Sequence, residues 1–238
     1  MIFGRKVLGV VLARAGSKGL PGKNTKLLCG KPLIVWSIEA GLASKYIDDL
    51  VVSTDGNEIA SVSERYGAEV PFKRPSELSS DGASSISAII HTLDYLEKNG
   101  RFYDVVVLLE PTSPLRESAD INAALDLLVE KNSSSVVSVC EAEATHPSFM
   151  FKMDSVTNRL LPFLGTQPNA LRRQDIHPVY FLDGTIYCST PKKIREKNGF
   201  YHEETLAYVV PKWKSLEIDD EDDFVMVEAL MKKRLLKK

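Results

Sequence analysis

Hydrophobic positions along this chain alternate between short unbroken runs and helical spacing. Val7 to Leu12 is apolar apart from Gly9, the pattern of a strand buried on both faces. Pro32 opens a predicted helix through Ala43, with Leu33, Trp36, Ile38 and Leu42 near one face, and Asp49 to Ser53 is a short strand. Asn57 to Tyr66 is helical, with Ile59, Val62 and Tyr66 on one stripe and Gly67 suited to the C-terminal cap. Ser84 to Lys98 repeats the theme through Ile86, Ile89, Ile90, Leu93 and Leu96, followed by a continuous apolar strand, Val105 to Leu109. A helix from Ala119 to Lys131 directs Ile121, Ala124, Leu125 and Leu128 inward, and Ser135 to Cys140 is again strand-like. Gly184 to Ser189 and Ala207 to Val210 resume the strands. A last helix begins near Asp220, with Phe224, Val227, Leu230 and Met231 inward. Such alternation predicts an α/β fold with a mostly parallel, Rossmann-like sheet covered by helices on both faces. Its ligands belong at the carboxyl ends of the strands.

The pattern breaks between residues 141 and 183, a stretch rich in polar residues and prolines that also carries Phe149, Met150, Phe151, Met153 and Phe163. We expect one domain over residues 1–238 with 141–183 as an excursion whose apolar residues pack against another surface. With 238 residues and 44% hydrophobic content, the chain is long enough for a full core. A net charge of −2 argues against nucleic-acid and polybasic membrane binding. The apolar run near Met1 is too short for a transmembrane helix and has no cleavage signal, so a cytoplasmic enzyme is expected. Cys29, Cys140 and Cys188 lack the spacing of a disulfide framework or a zinc site.

Chemistry concentrates first in the loop after the opening strand, Arg14-Ala15-Gly16-Ser17-Lys18-Gly19-Leu20-Pro21-Gly22-Lys23-Asn24. Glycines let backbone N–H groups approach an anion, and Arg14, Lys18 and Lys23 supply charge, so the loop predicts a phosphate cradle. It is not a Walker loop, because five residues separate Gly16 from Gly22 and Asn24 follows Lys23. Nor does a dinucleotide fingerprint fit these glycines. Near the other end, Glu217-Ile218-Asp219 places two carboxylates on one side of an extended strand, a hard-donor pair suited to a divalent cation that also holds phosphate oxygens. Glu221, Asp222 and Asp223 are expected instead to complement the N-terminus of the last helix.

The run Ala-Arg-x-Gly-Ser-Lys-Gly-Leu-Pro-x-Lys-Asn resembles the amino-terminal signature of the N-acylneuraminate cytidylyltransferases, which join a nonulosonic acid to CMP from CTP and release pyrophosphate. Further resemblances span most of the chain: Arg74-Pro75 through Ser85, Glu110-Pro111-Thr112-Ser113-Pro114-Leu115-Arg116, Asp183-Gly184-Thr185-Ile186-Tyr187, and Glu217-x-Asp219. The resemblance implies a nucleotidyltransferase-type fold and a homodimer whose 141–183 arm covers the partner's site. It also implies Mg²⁺ held by Glu217 and Asp219. Leu12, Ala13, Arg14, Ser17, Lys18, Lys23, Asn24, Arg74, Ala83 and Ser85 correspond to nucleotide-binding positions, with Asn24 near the ribose. Arg14, Lys18, Lys23 and Asp219 are the expected catalytic residues, while Glu110, Thr112, Arg173, Tyr187, Phe200 and Tyr201 fall at sugar-side positions. Glu110 stands where many members have glutamine, and Phe181 where some have a second arginine; both leave the particular sugar open.

No protein general base is evident, since His91, His146, His177 and His202 are scattered outside these motifs. Two alternatives remain at this point. One is a cytidylyltransferase for another sugar acid, such as an octulosonate. The other is a non-catalytic nucleotide-binding module, against which the pair Glu217 and Asp219 argues.

Overall fold

In the computed structural model, residues 1–80, 82–143, 145–165 and 176–236 are described. A six-stranded sheet organises them. Its strands are β1 (Val7–Leu12), β4 (Asp49–Ser53), β5 (Val105–Leu108), β6 (Ser135–Glu141), β9 (Tyr180–Ser189) and β10 (Leu206–Val209). They lie in the order β10, β6, β9, β5, β1, β4. β1 pairs in parallel with β4 and β5, and β10 with β6, whereas β9 runs antiparallel between β5 and β6. The chain moves outward from β1 to β4 and then returns to β5 on the other side of β1. That reversal opens a crevice at the carboxyl ends of β1 and β5.

Alternate side chains of the strands feed two cores. On one face Val7, Val11, Val52, Val105 and Val107 meet α1 (Leu33–Leu42) and α4 (Ser118–Glu130) through Ile34, Ile38, Ile121 and Leu125. On the other, Leu8, Val10, Val51, Val106 and Leu108 meet α3 (Ser85–Lys98) through Ile89, Leu93 and Leu96. A third cluster packs α6 (Glu221–Leu235) beside the first loop, joining Leu20, Leu115 and Ile218 to Phe224, Val227 and Met231. This cluster brings the two ends of the sequence together at the crevice.

Helix ends follow local chemistry closely. α2 (Asn57–Arg65) is followed by Gly67 at φ +92°, as its C-terminal cap position requires. Ser84 caps α3 by accepting from the Ser87 N–H, and Asp220 and Asp223 form a reciprocal capping box on α6. Two expectations at α1 need correction. Pro32 precedes the first helical residue, because it pairs with Leu27 in a short hairpin of β2 (Leu27–Leu28) and β3 (Lys31–Pro32). Leu42 is exposed, since its neighbour Gly41 takes the buried position of the last turn, against Leu50 and Leu109.

Strand β6 extends through Glu141 and β9 begins at Tyr180, so the sheet reclaims the end of the expected excursion. Between them lies a hairpin of β7 (Phe151–Met153) and β8 (Leu160–Pro162). Phe149, Met150, Phe151, Met153, Leu160, Leu161 and Phe163 are exposed there. The short helix α5 (Pro191–Lys197), capped by Thr190, had no clear periodic signal.

Candidate active site

Where β1 ends, Ala13 donates to Ser53 O at 3.1 Å, and the glycine-rich loop turns over the crevice. Asn24 is buried, its amide donating to Arg14 O at 3.0 Å. This bond holds the loop in shape. Gly22, at φ +66°, starts the turn that carries Lys23 and Asn24. Leu12, Arg14 and Ser17 are half-buried, Ala13 is buried, and Lys18 is exposed.

Lys23 reaches across the crevice. Its side chain is only 12% exposed, and Nζ donates to Ile218 O at 2.8 Å and to Asp219 Oδ1 at 3.3 Å. Ile218 is fully buried, and its N–H donates to Thr112 O at 2.9 Å. Glu217 and Asp219 thus flank one buried residue, as alternation predicted, but the segment forms no ladder strand. Isolated hydrogen bonds hold it instead, to Thr112 O and from Lys23 and the Gly184 N–H.

Beneath this segment Arg116 acts as an organiser whose role the sequence did not disclose. It is buried, donating Nε to Thr185 O, one terminal nitrogen to Ser37 Oγ at 2.9 Å and the other to Glu110 O at 2.7 Å. Burial depresses its guanidinium to about 10, a value that keeps it charged at neutral pH. The Pro-Leu-Arg sequence was the available signal, but only tertiary contacts show Arg116 binding the strand end from below.

Glu110 and Glu217 meet over Gly184. A Cβ at that glycine would lie 2.5 Å from Glu110 Oε2, 2.6 Å from Glu217 Oε1 and 2.9 Å from Ser113 Oγ, so any side chain there would displace these three groups. The Gly184 N–H donates to Glu217 Oε1 at 2.5 Å. Burial, then the nearby Glu217 carboxylate, pushes Glu110 up to about 7 despite the opposing pull of Arg116. Glu217 is also raised by burial, partly offset by the Gly184 hydrogen bond. Asp183, buried below them, accepts from Ser138 Oγ and the Thr185 N–H through Oδ1. Its Oδ2, Ser113 Oγ and Thr185 Oγ1 have no hydrogen-bond partner among the described residues.

This crowding has a measurable consequence for stability. A carboxyl raised in the folded state contributes stability that is complete below its unfolded pKa of about 4.3 and is lost as pH rises. For Glu110 the loss runs through a folded value of about 7. Glu110→Gln should therefore match the unsubstituted protein at low pH but melt higher above neutrality, with a gain on the order of 3 kcal/mol at most. Thermal melts across that range without added metal would check this; parallel pH profiles for the two proteins would refute the assignment.

Arg74, Ala83 and Ser85 lie beyond the end of β4. Arg74 is buried and bonded to Ser53, with Nε 3.0 Å from Ser53 Oγ and a terminal nitrogen on Ser53 O. Burial lowers it to about 10, with Asp55 opposing and Arg14 reinforcing the effect. Ser85 begins α3 at an exposed position, and Ala83 is half-buried just before it. Arg173 lies outside the described residues.

Tyr187 pairs with Leu108 across β5 and β9, and its hydroxyl is pushed well above its usual value by burial and then by Glu110 and Glu217. Phe200 and Tyr201 differ in environment. Phe200 is core, its ring 5.8 Å from Tyr187, which it supports from behind. Its carbonyl accepts from Ser135 Oγ, at the amino end of β6. Neighbouring Tyr201 is exposed, and the chain reaches it from the end of the sheet opposite the loop. Adjacent aromatics look equivalent in sequence, whereas burial separates them.

A divalent cation would find hard oxygen donors in Glu217 and Asp219, and the unfavourable proximity of Glu110 and Glu217 is what positive charge would relieve. Among the described residues no three His, Cys, Asp or Glu side chains form a complete metal cage. Two such carboxylates are the chemistry that an ion completed by phosphate oxygens and water takes from a protein.

Residues 8–160 match the family described as Cytidylyltransferase. The CMP-N,N'-diacetyllegionaminic acid synthase of Legionella pneumophila is 39% identical over 227 residues, covering 95% of this chain and 96% of that protein. A pseudaminic acid cytidylyltransferase of Campylobacter jejuni is 30% identical over 227 residues, covering 95% and 97%. The N-acylneuraminate cytidylyltransferase of Streptococcus agalactiae is 36% identical over 224 residues, 93% of this chain but 52% of its own length. In fold, the chain is similar to a CMP:2-keto-3-deoxy-manno-octonic acid synthetase solved with CTP, at a TM-score of 0.71 and 18% identity, covering 96% and 99%. With a cation-bearing glycine loop bonded to a paired-carboxylate segment, and with relatives matched along nearly the whole chain, this protein belongs to the cytidylyltransferase family.

Proposed function

We propose that this chain transfers CMP from CTP to the anomeric hydroxyl of a nonulosonic acid, releasing pyrophosphate. The observation that carries the reading is the bond from Lys23 Nζ to Ile218 O and Asp219, which sets the phosphate-binding loop against the paired carboxylates. Arg14, Lys18 and Lys23 would neutralise the triphosphate, arginine by forked contacts and lysine as a point charge. Arg74 adds buried charge at the nucleotide end. The sugar acid would lie toward Glu110, Thr112 and Tyr187, on the opposite side of the α-phosphate from the leaving pyrophosphate. Its anomeric oxygen bonds to the α-phosphorus as the bond to the bridging oxygen breaks.

Glu217 and Asp219 are the residues that would hold Mg²⁺. When bound there, the ion supplies charge neutralisation at the α-phosphate and promotes ionisation of the attacking hydroxyl. Arg116 and Ser37 fix the Glu110 backbone, so the sugar-facing carboxyl sits on a rigid support. A carboxyl at Glu110 suits a hydroxyl or amide N–H of the sugar acid better than that acid's own carboxylate.

The reading is tested by CTP-dependent pyrophosphate release with N-acetylneuraminate, N,N'-diacetyllegionaminate, pseudaminate and 2-keto-3-deoxy-octulosonate in separate reactions. Release with one or more of the nine-carbon acids is the expected result. Release with the octulosonate alone, or with none of the four, would overturn it.

The exposed Phe149, Phe151, Met153, Leu161 and Phe163 further support a homodimer formed through the β7–β8 hairpin. No helix among the described residues is long and apolar enough to cross a membrane. Sedimentation at micromolar concentration should show a dimer, and Phe151→Asp with Leu161→Asp should yield a monomer. A monomer before substitution would contradict the assembly.

A further inference from the structure

The acidic segment that enters the active site is attached at a second point, away from the chemistry. After β10 the chain turns at residues 211–214, with Lys214 N donating to Pro211 O at 2.8 Å. The Lys214 side chain is 8% exposed, and its Nζ lies 2.5 Å from Asp120 Oδ2 and 3.0 Å from Glu117 Oε2. Asp120, itself 6% exposed, also accepts from the Tyr208 hydroxyl at 3.0 Å and from the Glu117 N–H at 2.8 Å. These acceptors stand at the start of α4, immediately after the turn containing Thr112 and Arg116.

Four residues beyond Lys214, Ile218 N donates to Thr112 O at 2.9 Å. The same two pieces of chain are therefore joined twice. The hydrogen bonds from Lys23 to Ile218 O and from the Gly184 N–H to Glu217 also act only at residues 217–219, so without Lys214 the other end of the segment is free to shift, and a slip by one would exchange the side occupied by Glu217 and Asp219 for that of Ile218. The attachment at Lys214 fixes that register from the far end. A buried ion pair is a poor source of net stability, since an apolar pair can often replace it without loss, and its best-attested use is to select one arrangement.

We propose that Lys214 is a positioning residue: its bridge to Glu117 and Asp120 sets the register of the 214–219 segment and thereby the placement of Glu217 and Asp219 for the divalent cation. The inference rests on the cation reading above. It involves no contact between Lys214 and the reacting atoms.

The test is a Mn²⁺ titration followed by electron paramagnetic resonance, with CTP present and sugar absent, on the unsubstituted protein, Lys214→Met and Lys214→Arg. Lys214→Met should raise the half-saturating Mn²⁺ about tenfold, the range typical for residues that orient metal ligands. Lys214→Arg, which retains the charge and the reach to both carboxylates, should stay within about threefold. CTP affinity without metal should be the same in all three. Because Lys214→Met alone leaves Asp120 buried opposite an apolar chain, Lys214→Met combined with Asp120→Asn carries the same test with no buried charge. A folded Lys214→Met, or the folded double variant, that titrates like the unsubstituted protein overturns the inference alone. Absence of a Mn²⁺ site in the unsubstituted protein overturns the cation reading, and this inference with it.

Discussion

Replacement of Lys23 by alanine should reduce turnover by about a hundredfold or more while leaving a folded protein. Lys23 stands between the two charged parts of the site, within hydrogen-bond reach of Ile218 O and Asp219 Oδ1. Although it is a loop cation, its bond to a carbonyl inside the third core cluster gives it a structural stake as well. Removing the ammonium should cost about 1.5–3 kcal/mol, the usual worth of a charge-assisted hydrogen bond, because Ile218 itself stays buried by Leu20 and Leu115. The catalytic loss exceeds this because a positive charge aimed at a developing phosphate anion acts in the transition state more than in the ground state. Steady-state kinetics should show the loss chiefly in kcat, accompanied by a small fall in Tm. Turnover near normal would remove Lys23 from the mechanism, and unfolding at ordinary temperature would assign it to structure.

The second large effect is expected at Asp219, whose carboxylate is 76% exposed and faces Lys23, whereas its backbone N–H anchors α6 by donating to Asp223 Oδ2 at 3.0 Å. Asp219→Asn preserves size and that backbone contact and removes one negative charge beside Glu217. Turnover should fall about a hundredfold at ordinary Mg²⁺ and recover partly as Mg²⁺ is raised, because the remaining carboxylate still provides a weaker site. Asp222→Asn is the matched control. Asp222 lies in the first turn of α6, where a carboxylate complements the helix terminus and contributes less than about 1 kcal/mol. Like behaviour of the two variants, or an Asp219→Asn enzyme with an unaltered Mg²⁺ dependence, would refute metal binding at Asp219.

The local periodicities were sufficient for most of the sheet. Continuous apolar runs marked β1 and β5, helical spacing marked α3 and α4, and Ser84, Gly67 and Asp220 marked helix ends, because each signal is written within one turn or one strand of chain. The glycine-rich loop was equally legible, since its glycines and cations are adjacent in sequence and need only the strand before them to present them. The sequence by itself also determined that Glu217 and Asp219 share a side, with Ile218 opposite, through the two-residue alternation of extended chain.

Tertiary structure decided what that side faces. Nothing in Glu217-Ile218-Asp219 specifies Thr112 as its hydrogen-bond partner, or Lys214 as its second attachment, because both depend on where α4 and β10 are placed. The direction of β9 was likewise undetermined: a strand buried on both faces has the same apolar pattern in either direction, and its neighbours in the sheet select one. Phe200 and Tyr201 show the same limit at single residues. Only the packing of Phe200 against Tyr187 of β9 makes one of these aromatics core and leaves the other in solvent. Arg116 became an organiser for a comparable reason, since an arginine's role depends on which carbonyls surround it, and those at Glu110 and Thr185 meet only when β5 and β9 pair.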